Sequence, residues 1–443
     1  MNTEKINIFI ENKLSPIMAK ISSNRYINAV NAGFGAVSPL ILIGSFFIII
    51  FNLPLANENS LFYIKAYHNF VTAFYKYYIQ IFNASIGIIS LFLSYSIAYS
   101  LAGHYKLDSQ TNAFLSVYSF ILLSAKSLLM TISSSASNIL YLKESTTINV
   151  IDASYLNAKG VLIAILCSII SVEVYRFIIE KKINIKFPQS VPPAIAKSIE
   201  PIIPFIVMSV LCQAANIITE HYINNSVSNI IFNFMKYFYN FADSLILIIL
   251  ILLLVHMLWF CGSIHGSNVA SSIINPIVLI NLTINQNALI NGENLTRIFA
   301  GEFMNSFVYL GGAGATLGLC ISMLMSKNEE LKSIGKMSIV PALFNINEPI
   351  LFGTPIIMNN TFFIPFIITP IVNASITYYL FKFEFLSKII AAVPWTTPSI
   401  LGSFISTNFC IKAPLLIIGL IIIDYLIYKP FFIIHKKKIE SKN

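Results

Sequence analysis

The sequence predicts an all-α polytopic membrane protein of about ten transmembrane helices, two re-entrant hairpins and amphipathic helices lying at the membrane interface. Three observations carry that expectation. The chain of 443 residues is 56% hydrophobic and only 11% charged, whereas soluble proteins average about 25% charged residues. Its charges are unevenly spread, with none between Tyr26 and Asn57, between Tyr77 and Tyr105, or between Ser244 and Gly292. Apolar runs recur at roughly 20 residues, the length that crosses a hydrocarbon core about 30 Å thick. A soluble enzyme, a secreted disulfide scaffold and a disordered chain are all excluded.

The elements follow in order. Spans are expected at 32–52, 82–102, 113–134, 161–179, 201–219, 244–261, within 268–290, and at 298–325, 361–381 and 411–430. The first follows Lys5, Lys13, Lys20 and Arg25 and is too long for the apolar region of a signal peptide, so it reads as an uncleaved span. Lys126 interrupts the third, and the seventh is rich in Asn. The stretches 262–275 and 338–358 each combine Gly, Asn and an ionisable residue, with Pro276 directly after the first and prolines within the second. They are expected to be re-entrant, because irregular backbone at membrane depth requires a lining of protein or water. Segments 62–80 and 226–240 mix aromatics with Lys and Asn and read as interfacial amphipathic helices. The chain accordingly divides into an N-terminal membrane half, 1–240, with spans one to five, and a C-terminal half, 241–443, with spans six to ten and the hairpins. Lys and Arg favour one set of loops by about two to one, which puts both termini on the cytoplasmic side. The net charge of +9 is the sum of such flanking charges, not a nucleic-acid surface.

Three polar stretches inside apolar sequence hold the candidate chemistry: HMLWFCGSIHGSN at 256–268, NINEPILFGTP at 345–355 and PWTTPS at 394–399. A carboxylate at membrane depth costs roughly 2.5–3.5 kcal/mol on insertion scales and therefore faces a cavity or a partner. Glu348 is the only acid between Glu330 and Glu384. Pro349 biases it away from continued helix, freeing backbone groups for a polar ligand. His265, between Gly262 and Gly266, suits a bent segment with an accessible ring nitrogen. His256, inside LLLVHMLWF, reads as a packing histidine. Two histidines nine residues apart do not share a helical face, and the cysteines Cys167, Cys212, Cys261, Cys320 and Cys410 form no C-x-x-C, so neither a metal site nor a disulfide framework is expected. Trp395, framed by Pro394, Thr396, Thr397 and Pro398, suits stacking on a sugar ring. Gly311–Thr316 lacks the Lys of a phosphate loop and reads as small-residue helix packing. Glu302 and Asp243 read as interfacial residues at span ends, and Glu173 with Arg176 as a local i,i+3 ion pair.

These motifs resemble the membrane-spanning IIC component of bacterial sugar phosphotransferase systems, in the lactose/cellobiose/diacetylchitobiose family. The similarity runs along nearly the whole chain, through SPLILIGSFF (38–47), NAKGVLIAI (157–165), KFPQSVPPAIAKSIEPIIP (186–204) and WFCGSIHGSN (259–268). It continues through GGAGATL (311–317), NEPILFGTPI (347–356), VPWTTP (393–398) and YKPFF (428–432). The resemblance implies a multi-pass permease of the bacterial cell membrane that pairs as a homodimer through its N-terminal half. It implies a β-linked disaccharide held in the C-terminal half by His265 and Glu348, with Gly266, Asn347 and Trp395 beside them and Glu348 or His265 as the general base. No cofactor is implied. The phosphoryl group would come from a separate cytoplasmic IIB, supplied in turn by IIA, HPr and Enzyme I, so the chain itself would be a transport subunit with no phosphorylated residue of its own. On the residues alone, a proton-coupled secondary sugar transporter with Glu348 as its proton site fits the same discontinuous segments.

Overall fold

A computed structural model describes residues 16, 20–21, 23–58, 60, 62–132, 146–183, 199–260, 266–357 and 359–441. Among the described residues the chain forms fifteen α-helices, numbered in chain order. They are α1 (Arg25–Phe51), α2 (Lys65–Ser85), α3 (Ile89–His104), α4 (Ser109–Ser124), α5 (Val161–Glu180), α6 (Ile202–Ile223), α7 (Val227–Ala242) and α8 (Leu245–Phe260). They continue as α9 (Gly266–Ile290), α10 (Leu317–Leu324), α11 (Glu329–Leu343), α12 (Glu348–Gly353), α13 (Asn360–Lys382), α14 (Ser399–Ser406) and α15 (Lys412–Glu440). Seven helical stretches among the described residues are long and apolar enough to cross a membrane. A further apolar helix, α8, has 16 residues and spans about 24 Å at 1.5 Å per residue.

The chain forms two compact units, one of 32–38 with 84–237, the other of 1–31, 39–83 and 238–443. The first packs α3, α4 and α5 through serines. Ser94 and Ser116 share a hydroxyl hydrogen bond at 2.7 Å, and the Ser168 hydroxyl donates to the Ser94 carbonyl at 3.1 Å. Lipid offers helices no hydrophobic drive to associate, so close approach through small residues and hydroxyl bonds holds them together.

Two expected spans differ in the structure. The run 113–134 does not continue as helix, because α4 ends at Ser124 and the chain turns into strand β1 (Ser127–Ile132), antiparallel to β2 (Thr146–Ile151). Both strands carry β-branched residues, which favour a pleated surface, and Lys126 at the break pairs with Glu220 of α6. The run 298–325 is broken into a π-helical segment, Phe303–Val308, a glycine turn, and then α10. Of the expected re-entrant stretch at 262–275, residues from Gly266 onward belong to the 25-residue helix α9 and pass through Pro276 without interruption. The amphipathic stretches at 62–80 and 226–240 are helical, as α2 and α7.

The asparagines of α9 explain how unstructured backbone is accommodated in the second unit. Residues 294–298 and 388–394 run without regular structure. The Asn285 amide donates to the carbonyls of Arg297 and Ile389, both at 2.9 Å, and its oxygen accepts the Arg297 N–H. Gln286 donates to the Ile390 carbonyl at 3.0 Å, and Asn281 to that of Phe299 at 2.8 Å. The Asp243 carboxylate accepts the N–H groups of Ile298 and Phe299 at 3.0 and 2.6 Å. Buried backbone groups need partners, and here side chains replace the missing helical ladder.

Candidate functional site

The second unit gathers three segments far apart in sequence: the turn after the π-helical segment, the loop from α11 to α12, and the loop before α14. Their meeting point is a turn that only glycine can form. Gly311, Gly312 and Gly314 have φ of +80°, +96° and +82°, conformations a side chain rarely adopts. Space forbids side chains as well, since a Cβ on Gly312 would lie 2.5 Å from Asn347 Cγ and one on Gly314 would overlap the Phe366 ring. The reading of Gly311–Thr316 as a helix-packing stripe is thereby corrected. The glycines are small because the chain reverses there.

Each polar group of that turn is caught by a named side chain. The Gly314 N–H donates to His256 Nε2 at 2.9 Å, while Nδ1 on the other side of the ring donates to the Leu252 carbonyl at 2.7 Å. These two partners define a neutral ring with its proton on Nδ1. His256 is thus the satisfied, fully buried histidine that its apolar setting suggested, and it also anchors the turn. The Tyr428 hydroxyl donates to the Gly314 carbonyl at 2.7 Å, and the Asn347 amide donates to the Ala313 carbonyl at 2.6 Å.

Asn345 is the hub that sequence reasoning missed. It is 8% exposed and sits in the left-handed region at φ +61°, which Asn tolerates better than most residues. Its amide nitrogen donates to the carbonyls of Asn305 and Trp395, each at 3.1 Å, and of Thr397 at 3.3 Å. Its oxygen accepts the Gly311 N–H at 3.3 Å and the Ser399 hydroxyl at 3.1 Å. The available signal was an asparagine just after a helix end, a position that favours left-handed backbone.

Of the expected site residues, Trp395 is tied to this hub and Asn347 to the glycine turn beside it. Glu348 opens α12 and is exposed, and among the described residues it meets no ion-pair partner. Asn347, immediately before it, is 4% exposed and turned inward onto the glycine turn. Trp395 is 58% exposed, with its backbone tied to Asn345. Gly266 begins α9. His265 lies outside the described residues. Glu302, expected at a span end, caps the π-helical segment and accepts the Asn305 amide at 2.8 Å. Asp243, expected to be interfacial, instead holds the extended backbone at 298–299. Glu173 and Arg176 form the expected ion pair at 2.8 Å. Among the described residues no cluster of His, Cys, Asp or Glu could hold a metal ion.

The chain is similar to named proteins over almost its full length. It is 32% identical to the lichenan permease IIC component of Bacillus subtilis strain 168, covering 99% of this chain and 96% of that protein. It is also 32% identical to the lactose-specific EIICB component of Staphylococcus haemolyticus, covering 98% of this chain and 71% of that protein. A crystal structure of the transporter ChbC, the IIC component from the N,N'-diacetylchitobiose-specific phosphotransferase system, superposes with a TM-score of 0.86 at 31% identity, over 98% of this chain and 99% of that one. The family described as Phosphotransferase system, EIIC matches residues 32–370. With its membrane helices, its broken segments and these matches, the chain belongs to the EIIC family, the membrane permease component of bacterial sugar phosphotransferase systems.

Proposed function

We propose that this permease carries a β-linked disaccharide and presents it at the cytoplasmic face to a IIB protein for phosphorylation. The observation that supports the reading is the tie between the loop that leads into Glu348 and the loop that carries Trp395, made by the Asn345 amide on the Trp395 carbonyl. Glu348, three residues after the buried Asn345, presents an exposed carboxylate, and Trp395, whose carbonyl Asn345 holds, presents an exposed indole. A carboxylate accepts several hydroxyl hydrogen bonds at once, and an aromatic face suits the apolar face of a pyranose. Asn347 acts as the positioning residue of Glu348, since its own amide is spent on the Ala313 carbonyl. His265 and Gly266 complete the binding set. As the phosphoryl group arrives, the attacking sugar hydroxyl gives up its proton to Glu348 or His265 acting as general base.

The names of the lichenan, lactose and diacetylchitobiose relatives support the β-linked sugar class, and the EIICB relative supports a IIB partner on the same membrane face. The two-to-one excess of basic loops supports cytoplasmic termini. The family resemblance supports a homodimer formed through 1–240.

The test is a calorimetric titration of detergent-purified protein with cellobiose, diacetylchitobiose and lactose. At least one should bind, and Glu348→Gln should abolish binding while the protein stays folded. Retained affinity in that variant refutes the site. Uptake into vesicles that hold a proton gradient but no phosphorelay proteins would replace the reading with a secondary transporter.

A further inference from the structure

Apart from the proposed sugar site, a buried carboxylate lies in the same unit. Asp424 of α15 is fully buried, as are Asn373 and Thr377 of α13. The Asn373 amide nitrogen donates to Asp424 Oδ2 at 3.2 Å and to the Val308 carbonyl at 3.3 Å. Both of those neighbours are acceptors, so the amide orientation is determined by its partners. Asp424 Oδ1 and Asn373 Oδ1 are then left without partners. Among the described residues no Lys or Arg pairs with Asp424. Gly318 of α10 packs against the backbone of α15 at this point, where a Cβ would overlap Tyr425 N and lie 2.5 Å from Asp424 C.

An ionised carboxylate with one hydrogen-bond donor and no counter-charge is very costly in such a place. Two unpartnered acceptor oxygens on side chains already joined by one hydrogen bond can be satisfied together by one proton. We propose that Asp424 binds a proton and stands as a neutral carboxylic acid whose Oδ1–H donates to Asn373 Oδ1. With the observed Asn373 Nδ2–H to Asp424 Oδ2 bond this closes a two-bond acid–amide ring. Thr377, one turn along α13, has its Oγ1 unpartnered as well. The proton goes to Asn373, because the existing bond already joins that amide to the carboxyl group. The ring leaves the second Asn373 N–H free to hold the Val308 carbonyl, the last residue of the π-helical segment that starts beside Glu302. Asn373 and Asp424 are thus positioning residues for that broken segment and touch no substrate.

Infrared spectroscopy on the purified full chain at neutral pH tests this. The chain has four aspartates, Asp108, Asp152, Asp243 and Asp424; the first three each accept backbone N–H bonds, and the Asp424→Asn variant assigns any acid band among the four. Isotope labelling of aspartate carboxyls in the wild-type protein should therefore shift a carboxylic-acid C=O band. Asp424→Asn should lose that band and keep the wild-type melting temperature, since its amide supplies the same donor. Asn373→Leu and Asp424→Leu should each lower the melting temperature, and Thr377→Val should leave the acid band in place. Absence of any label-sensitive acid band overturns the proposal. So does a sodium-dependent rise in wild-type melting temperature, relative to choline, that Asp424→Asn abolishes, because it would mean an ionised carboxylate holding a metal cation.

Discussion

Asn345 and Trp395 are 50 residues apart in the chain and joined by one hydrogen bond, from the asparagine amide to the tryptophan carbonyl at 3.1 Å. The same side chain binds the backbone of Asn305, Thr397 and Gly311. Three loops that carry exposed polar and aromatic groups are thereby registered by one buried amide. Asn345→Ala removes all of these bonds and forces alanine into the left-handed region. It should cost about 2–4 kcal/mol and abolish sugar binding, as read by thermal unfolding in detergent and by calorimetry. Asn345→Gly restores the backbone freedom alone and should fall between the two. Wild-type binding by the alanine variant would remove Asn345 from its central role.

Gly312 and Gly419 should respond oppositely to alanine. At Gly312 the new methyl would meet Asn347 Cγ at 2.5 Å on a backbone with φ +96°. Asn347 must move, and Gly312→Ala should lose sugar affinity even where the protein still assembles. Gly419 lies inside α15 with nothing within 4 Å of a new Cβ. Gly419→Ala should stabilise by about 0.5–1 kcal/mol. A melt and a binding titration on both variants decide the matter, and equal behaviour would contradict the steric argument.

Replacing His256 tests whether the turn depends on a buried acceptor. His256→Phe fills similar volume but leaves the Gly314 N–H without its partner. The expected loss is about 1–3 kcal/mol. His256→Gln returns an acceptor to the region and should recover part of it. Unfolding midpoints that do not differ between Phe and Gln would mean that packing alone, not the hydrogen bond, matters here.

The two tryptophans give the sugar site its own signal. Trp259 is 8% exposed and Trp395 is 58% exposed. Addition of a bound disaccharide should change the emission of Trp395, so Trp395→Phe should erase the response and Trp259→Phe should preserve it. A response that persists in Trp395→Phe would place the ring away from the sugar.

Asp243→Ala should show what the extended segment costs to hold. It strips the acceptor from the Ile298 and Phe299 N–H groups, bonds to a charged group worth about 1.5–3 kcal/mol each. The melting temperature should drop more than for Asp243→Asn, whose amide oxygen keeps one acceptor in place. A drop of equal size in both would point to charge, not acceptor count, as the stabilising element.

Much of the molecule was legible from its residues. Long apolar runs marked α1, α5, α6, α9, α13 and α15, because a bilayer imposes length and apolarity directly on sequence. The aromatic and polar mixture of 62–80 and 226–240 marked two helices for the same reason. The polar islands around His256, Glu348 and Trp395 stood out, since polar groups among apolar ones must have a partner. Asn281, Asn285 and Gln286 looked like weaknesses in a span, yet their amides are the partners that two extended segments require.

Sequence by itself determined that the chain lives in a membrane, roughly where it crosses, and which acid and which tryptophan stand out chemically, because these depend on local composition and spacing. Only the tertiary structure decided where helices break at 125 and at 309–316, that Asn345 ties distant loops together, and that Asp424 faces Asn373. Those outcomes depend on which buried donor finds which buried acceptor across tens of residues, and no periodicity along one segment encodes that pairing.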